Sequence, residues 1–150
     1  MSDDRAARLT AMLESLPYIR FLGMRAELAG DEMTGILPFA PHLIGNIVLP
    51  ALHGGVLGAF MEMTAICQLG VREPARRLPR TIDVTIEYLR PGRARTTYAR
   101  AELVKLGRRI VNVHVEAWQD TRASPVAALR GHFMLSPISP LPAGEVETRR

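Results

Sequence analysis

The chain has 150 residues, 47% hydrophobic and 23% charged, the balance of one globular domain with a proper core. Its one cysteine, Cys67, excludes an internal disulfide and makes a reducing cytoplasm the expected compartment. The net charge of +4 rests on arginine in all but one of the basic residues. It favours an anionic partner or reflects a few extra surface arginines, and no aromatic–basic interleaving or helix-turn-helix pattern points to nucleic acid.

The first residues, Met1-Ser2-Asp3-Asp4, are polar and acidic, so no secretory signal is expected. Residues 3–16 place Ala6, Leu9, Met12, Leu13 and Leu16 at helical spacing, with Ser2 as the expected cap and Pro17 as the stop. Segments 24–28 and 33–37 flank the turn Ala29-Gly30-Asp31 and predict a hairpin. Residues 38–52 hold three prolines and read as a loop with room for one short helical turn.

Residues 54–69 form the longest apolar-rich segment, whose length favours a helix over a strand. Being apolar on nearly every side, it is expected to be buried all round, with Gly70 and Pro74 ending it. Its longest apolar stretch, residues 56–66, is interrupted by Glu62 and is too short to span a bilayer, so no membrane association is expected. Residues 72–80 read as a charged loop. Residues 81–89 then alternate, with Ile82, Val84, Ile86 and Tyr88 on one face and Thr81, Asp83, Thr85 and Glu87 on the other. Two or three more strands follow, over 97–106, 110–118 and 126–135, joined by short turns that demand antiparallel pairing. The tail, 136–150, has three prolines and no periodicity, so it reads as loosely ordered. The order implies a single α+β domain over 1–150, a curved antiparallel sheet wrapped around one long central helix.

Within that helix Glu62 has no charged neighbour three or four positions away, and a carboxylate in apolar surroundings is expected to titrate high, as catalytic acids often do. The alternative is a narrow solvent-facing stripe. At the head of the helix, Leu52-His53-Gly54-Gly55 offers unpaired N–H groups and close approach to a substrate carbonyl, or simply a tight start to a buried helix. His53 and Glu62 stand about 13 Å apart along a helix and half a turn out of phase. If both act on one substrate they must come from different subunits, which implies a dimer with two composite sites.

Asn46, His53-Gly54-Gly55, Glu62 and the run from Thr81 through Tyr88-Leu89-Arg90-Pro91 together resemble the PaaI-like hotdog-fold thioesterases, and the stretch 101–115 with Lys105-Leu-Gly-Arg-Arg109 is similar to that family as well. The resemblance covers roughly residues 20–135. It implies a hotdog fold, subunits paired sheet edge to sheet edge as a homodimer or homotetramer, and hydrolysis of an acyl-CoA or aryl-acyl-CoA thioester. It also implies that the Gly54 N–H polarises the thioester carbonyl while Glu62 of the partner acts as base or nucleophile. Thr81 would place the water and Asn46 would orient the site.

Coenzyme A belongs to the substrate, so no separate cofactor is expected. Its phosphates would meet Arg90, Arg93, Arg108 and Arg109 at strand ends, with Gly55 also touching substrate. No metal is expected, because His42, His53, His114 and His132 lack ligand spacing and Cys67 has no companion. A serine hydrolase is excluded by the lack of a Gly-x-Ser-x-Gly elbow. The alternatives within the fold are an acyl-thioester dehydratase or hydratase, and a non-catalytic acyl-CoA binder. An acid placed mid-helix, beyond His-Gly-Gly, favours hydrolysis over the first, and the presence of Glu62 itself counts against the second.

Overall fold

The computed structural model describes residues 2–73 and 78–136. Pro74, the tail after Ser136 and the side chain of Ser2 lie outside the described residues. Helix α1 spans Ser2–Ser15 and α2 spans Pro17–Leu22. Pro17 therefore starts a helix as well as ending one: its fixed φ and missing N–H suit the first helical position. Strands β1 (Arg25–Ala29) and β2 (Glu32–Leu37) form the expected hairpin, with Gly30 at a φ of +66°.

The expected loop before the long helix contains a 3-10 turn, Pro41–Leu43, and a small ribbon of β3 (Ile44–Asn46) and β4 (Ala51–Leu52). The long helix α3 runs Gly54–Arg72, past Gly70, which lies inside it. The strands β5 (Arg80–Tyr88), β6 (Thr97–Leu106), β7 (Ile110–Trp118) and β8 (Ala127–Met134) complete the elements among the described residues.

Six strands form one antiparallel sheet in the order β1-β2-β6-β7-β8-β5. Its inner face carries Met33, Leu37, Ala99, Val111, Val113, Val115, Ala127, Leu129 and Phe133, all buried against Phe60, Met61, Ala65 and Leu69 of α3. Each large apolar side chain so enclosed contributes about 1.5–3 kcal/mol. Gln68 crosses this core and closes the first hairpin, accepting from the Met33 N–H at 2.8 Å and donating to the Asp31 carbonyl at 2.8 Å. This is the α+β wrap expected from the sequence.

Two expectations need correction. The long helix is not enclosed on all sides: Gly55 is exposed, and Ala59, Glu62 and Met63 are half-buried along one stripe. Among the described residues no other element fully covers that stripe. The alternation of β5 is broken by a bulge. Thr81 pairs with Phe133 and Asp83 with His132, so Ile82 is an extra residue. Directly opposed residues share a face, so Thr81 stands on the helix side with Phe133, whereas Ile82 is 47% exposed.

Candidate active site

The ribbon fixes the start of α3. The His53 N–H donates to the Leu43 carbonyl at 2.9 Å, and the Leu52 N–H to the Gly92 carbonyl at 2.8 Å. His53 is the N-cap, its extended backbone turning into the helix while its Nδ1 accepts from the Gly55 N–H at 2.9 Å. A neutral ring then carries its proton on Nε2. The Val56 and Leu57 N–H groups both go to the His53 carbonyl, at 3.0 and 3.2 Å. Of the first-turn donors, only the Gly54 N–H has no acceptor among the described residues. A lone backbone donor at the positive end of a 19-residue helix suits a carbonyl oxygen gaining charge.

Glycine at 54 and 58 lets the helix approach β5. A Cβ on Gly54 would lie 3.2 Å from Cζ of Tyr88, and one on Gly58 would lie 2.6 Å from Cδ1 of Ile86. The Tyr88 hydroxyl also donates to the Gly54 carbonyl at 2.7 Å. This contact was not anticipated. Its signal in the sequence is a tyrosine ending the inner face of an alternating strand. Beside it lies an apolar cleft of about 430 Å³ lined by Leu52, Gly54, Leu57, Tyr88 and Arg90.

Glu62 follows Gly54 and Gly58 on one ridge of the helix at intervals of four residues, about 12 Å beyond Gly54. It is half-buried on the uncovered stripe, so one protomer does not give it the apolar enclosure expected. One subunit does not bring Gly54 and Glu62 together. Thr81 lies exposed near the start of β5, at the opposite end of that strand from Tyr88 and Gly54. Asn46 is exposed, and its Oδ1 accepts from the Val48 and Leu49 N–H groups at 2.9 and 3.2 Å, holding the loop whose Ile47 and Val48 are 87% and 93% exposed. In this chain alone its side chain orders that loop.

The four candidate arginines fall into two groups. Arg90 lines the cleft beside Gly54, and Arg93 shares a neighbouring cleft with it, where Gln119 bonds both the N–H and the carbonyl of Arg93 at 2.9 Å. Arg108 and Arg109 lie in the β6–β7 turn, lining a cleft of about 670 Å³ with Lys105, Asn112 and His132 on the outer face of the sheet. There His132 meets the Asp83 carboxylate at 2.8 Å. Lys105, Asn112 and His132 had not been singled out as neighbours of these arginines. The register places them together, because Asp83, His132, Asn112 and Lys105 form one row across four strands. His42 bonds the Phe21 carbonyl at 2.9 Å, and no group of three or more His, Cys, Asp or Glu is placed to hold a metal ion among the described residues.

A helix wrapped by an antiparallel sheet, with a backbone donor at its head, is the hotdog architecture of thioester-processing proteins. Residues 49–126 match the model of the thioesterase superfamily. The chain is 30% identical to the medium/long-chain acyl-CoA thioesterase YigI of Escherichia coli (strain K12), over 67% of this chain and 74% of YigI. It is also similar to a solved protein of Chromobacterium violaceum, with 36% identity, a TM-score of 0.72 and coverage of 91% and 94% of the two chains. A phenylacetic acid degradation-related protein of Ralstonia eutropha JMP134 shares the fold, with a TM-score of 0.72 at 21% identity over 85% and 98% of the two chains. The chain belongs to the thioesterase superfamily and is a thioester hydrolase.

Proposed function

We propose that two copies of this chain assemble into composite sites that hydrolyse an acyl-CoA, each site using the Gly54 N–H of one subunit and Glu62 of the other. The observation that carries this reading is the unaccepted Gly54 N–H on the same helical ridge as Glu62, too far from it within one chain for both to meet one carbonyl. The thioester oxygen accepts from the Gly54 N–H as charge builds on it. The partner's carboxylate takes a proton from water attacking the carbonyl carbon, or attacks that carbon itself and is released by water afterwards. In either case the carbon–sulfur bond breaks, and CoA leaves as a thiolate that takes up a proton.

Thr81 is suited to hold the water, and Asn46 to set the loop over the site. Arg90 and Arg93, or Arg108 and Arg109 with Lys105, receive the CoA phosphates. The apolar lining beside Gly54 and the resemblance to YigI make medium- and long-chain acyl-CoAs the first substrates to try, with aryl-acyl-CoAs beside them. A reducing cytoplasm fits the lone buried cysteine.

Free-thiol release from an acyl-CoA panel, wild type against Glu62→Gln, tests the reading. Activity retained by Glu62→Gln would remove Glu62 from the chemistry. Mixing Glu62→Gln chains with chains altered at Gly54 should restore one working site per dimer, and no recovery would leave the composite site without support.

A further inference from the structure

We propose that the bulge at Ile82 aims Thr81 toward the acid, and that Gly131 on the neighbouring strand is the positioning residue that allows the bulge. This rests on the reading above only for the part Thr81 plays in holding the attacking water.

The sequence of β5 by itself runs against the bulge. Plain alternation would carry the helix face through Tyr88, Ile86, Val84 and Ile82, and leave Thr81 on the outer face with Asp83. Instead Ile82 is the extra residue and is 47% exposed, while Thr81 opposes Phe133 on the helix face. An apolar side chain is turned out and a hydroxyl is turned in. Bulges beside active sites re-aim side chains in this way.

What the turn achieves follows from how α3 lies on β5. Gly54 meets Tyr88, and Gly58 meets Ile86. Four helical residues and two strand residues both advance about 6–7 Å, so the same match continues with Glu62 level with Val84. The next helix-face position along the strand belongs to Thr81. One subunit therefore offers its carboxylate and, roughly one turn beyond it, a hydroxyl on the same side. Without the bulge Ile82 would take that place, and its side chain has no group that can hold water.

Gly131 stands opposite Val84, where the bulged strand comes close. A Cβ there would lie 2.9 Å from the Asp83 carbonyl oxygen, 3.0 Å from Cγ1 of Val84 and 3.1 Å from Cε2 of Phe133. The first of these is backbone and cannot rotate aside. On the outer face His132 meets the Asp83 carboxylate at 2.8 Å, which keeps Ile82 rather than Asp83 as the extra residue.

Four chains test the proposal: wild type, Thr81→Val, Gly131→Ala, and Gly131→Ala with Ile82 deleted. Alanine at 131 should straighten the strand, pairing Ile82 with Phe133 and moving Thr81 to the outer face. Deleting Ile82 then returns Thr81 to Phe133 by ordinary pairing, with no bulge required. In thiol release kcat should fall roughly threefold to tenfold in Thr81→Val and in Gly131→Ala, with KM little changed. It should return close to wild type in the deletion chain. Simple loss of stability predicts the opposite order, because the shortened strand carrying alanine is the more heavily altered. Wild-type kcat in Gly131→Ala, or a folded deletion chain no better than Gly131→Ala, overturns the proposal. Should Gly131→Ala not fold, deletion of Ile82 alone carries the test: kcat is kept if the bulge serves only to aim Thr81, and a tenfold loss in that folded chain overturns it.

Cross-strand NMR contacts read the register without activity. Those of the Phe133 backbone should run to Thr81 in the wild type and the deletion chain, and to Ile82 in Gly131→Ala. A Thr81 contact kept in Gly131→Ala also overturns the proposal. If the contacts move as expected while Thr81→Val keeps full kcat, the part of Thr81 in hydrolysis is what fails, and the control of the strand face by Gly131 stands.

Discussion

The Tyr88 hydroxyl donates to the Gly54 carbonyl at 2.7 Å, tying the last residue of β5 to the first of α3 across 34 positions of sequence. Its ring also fills the space where a Cβ of residue 54 would stand. Tyr88 therefore positions the turn that presents the Gly54 N–H, without being placed to react. Tyr88→Phe keeps the ring and removes the bond. It should lower stability by about 1 kcal/mol and kcat by roughly threefold to tenfold, with KM little changed. Melting and thiol-release kinetics on one preparation check this; an unaltered kcat would confine Tyr88 to packing.

The Gly54 donor can be removed without breaking the helix. Residue 54 is the first helical position, where proline is favoured, and His53 before it has φ −61° and ψ 134°, the conformation a following proline requires. Gly54→Ala introduces the same Cβ against Tyr88 and keeps the N–H, so it isolates the steric part. Gly54→Pro should fall about 10²- to 10³-fold below Gly54→Ala in kcat. Equal activities in the two variants would show that this N–H stabilises no charge.

Strong periodicity made most of the fold legible. The alternating valines of β7 face the core as expected, and the long apolar run is a helix because no strand in this sheet approaches its length. What escaped depended on tertiary pairing. The Ile82 bulge leaves no mark on an alternating sequence, and it moves Thr81 to the helix side. The stripe through Glu62 was one of two readings of that carboxylate, and because its neighbours are as apolar as the covered faces, composition could not choose between them. Pro17 is equally good at ending one helix and beginning the next. In the site, His53-Gly54-Gly55 and Glu62 could be picked out from local spacing. The Tyr88 clamp and the Lys105-Asn112-His132 surround of Arg108 and Arg109 come from strand register.

Helix and strand meet closely at Gly58 and Ile86, and the sign of a substitution there should depend on its partner. Alanine in a helix interior is favoured over glycine by about 1 kcal/mol. At position 58 its Cβ would stand 2.6 Å from Cδ1 of Ile86, so the gain is offset by displacing that methyl. Ile86→Val deletes it. Gly58→Ala should be neutral or destabilising alone and stabilising by about 0.5–1 kcal/mol in the Ile86→Val background. Denaturant midpoints of the four chains give the coupling; strict additivity would mean the contact is relieved without cost.

Cys67 is fully buried in the core, and burial pushes its thiol from an ordinary 9.0 up to about 12. The unfolded chain loses this proton near 9.0 and the folded chain near 12, so between those values the unfolded state binds fewer protons. The thiol's contribution is therefore fully present below pH 9 and is lost as pH rises toward 12, with a slope of at most about 1.4 kcal/mol per pH unit. Cys67→Ala removes that slope, although the smaller side chain lowers stability at neutral pH. Urea unfolding between pH 8 and 10.5 should show the wild type losing its advantage over Cys67→Ala as pH rises, and thiol reagents should label Cys67 only in unfolded protein. A constant difference between the two chains across that range, or rapid labelling in buffer at pH 8, would mean the thiol is open to water.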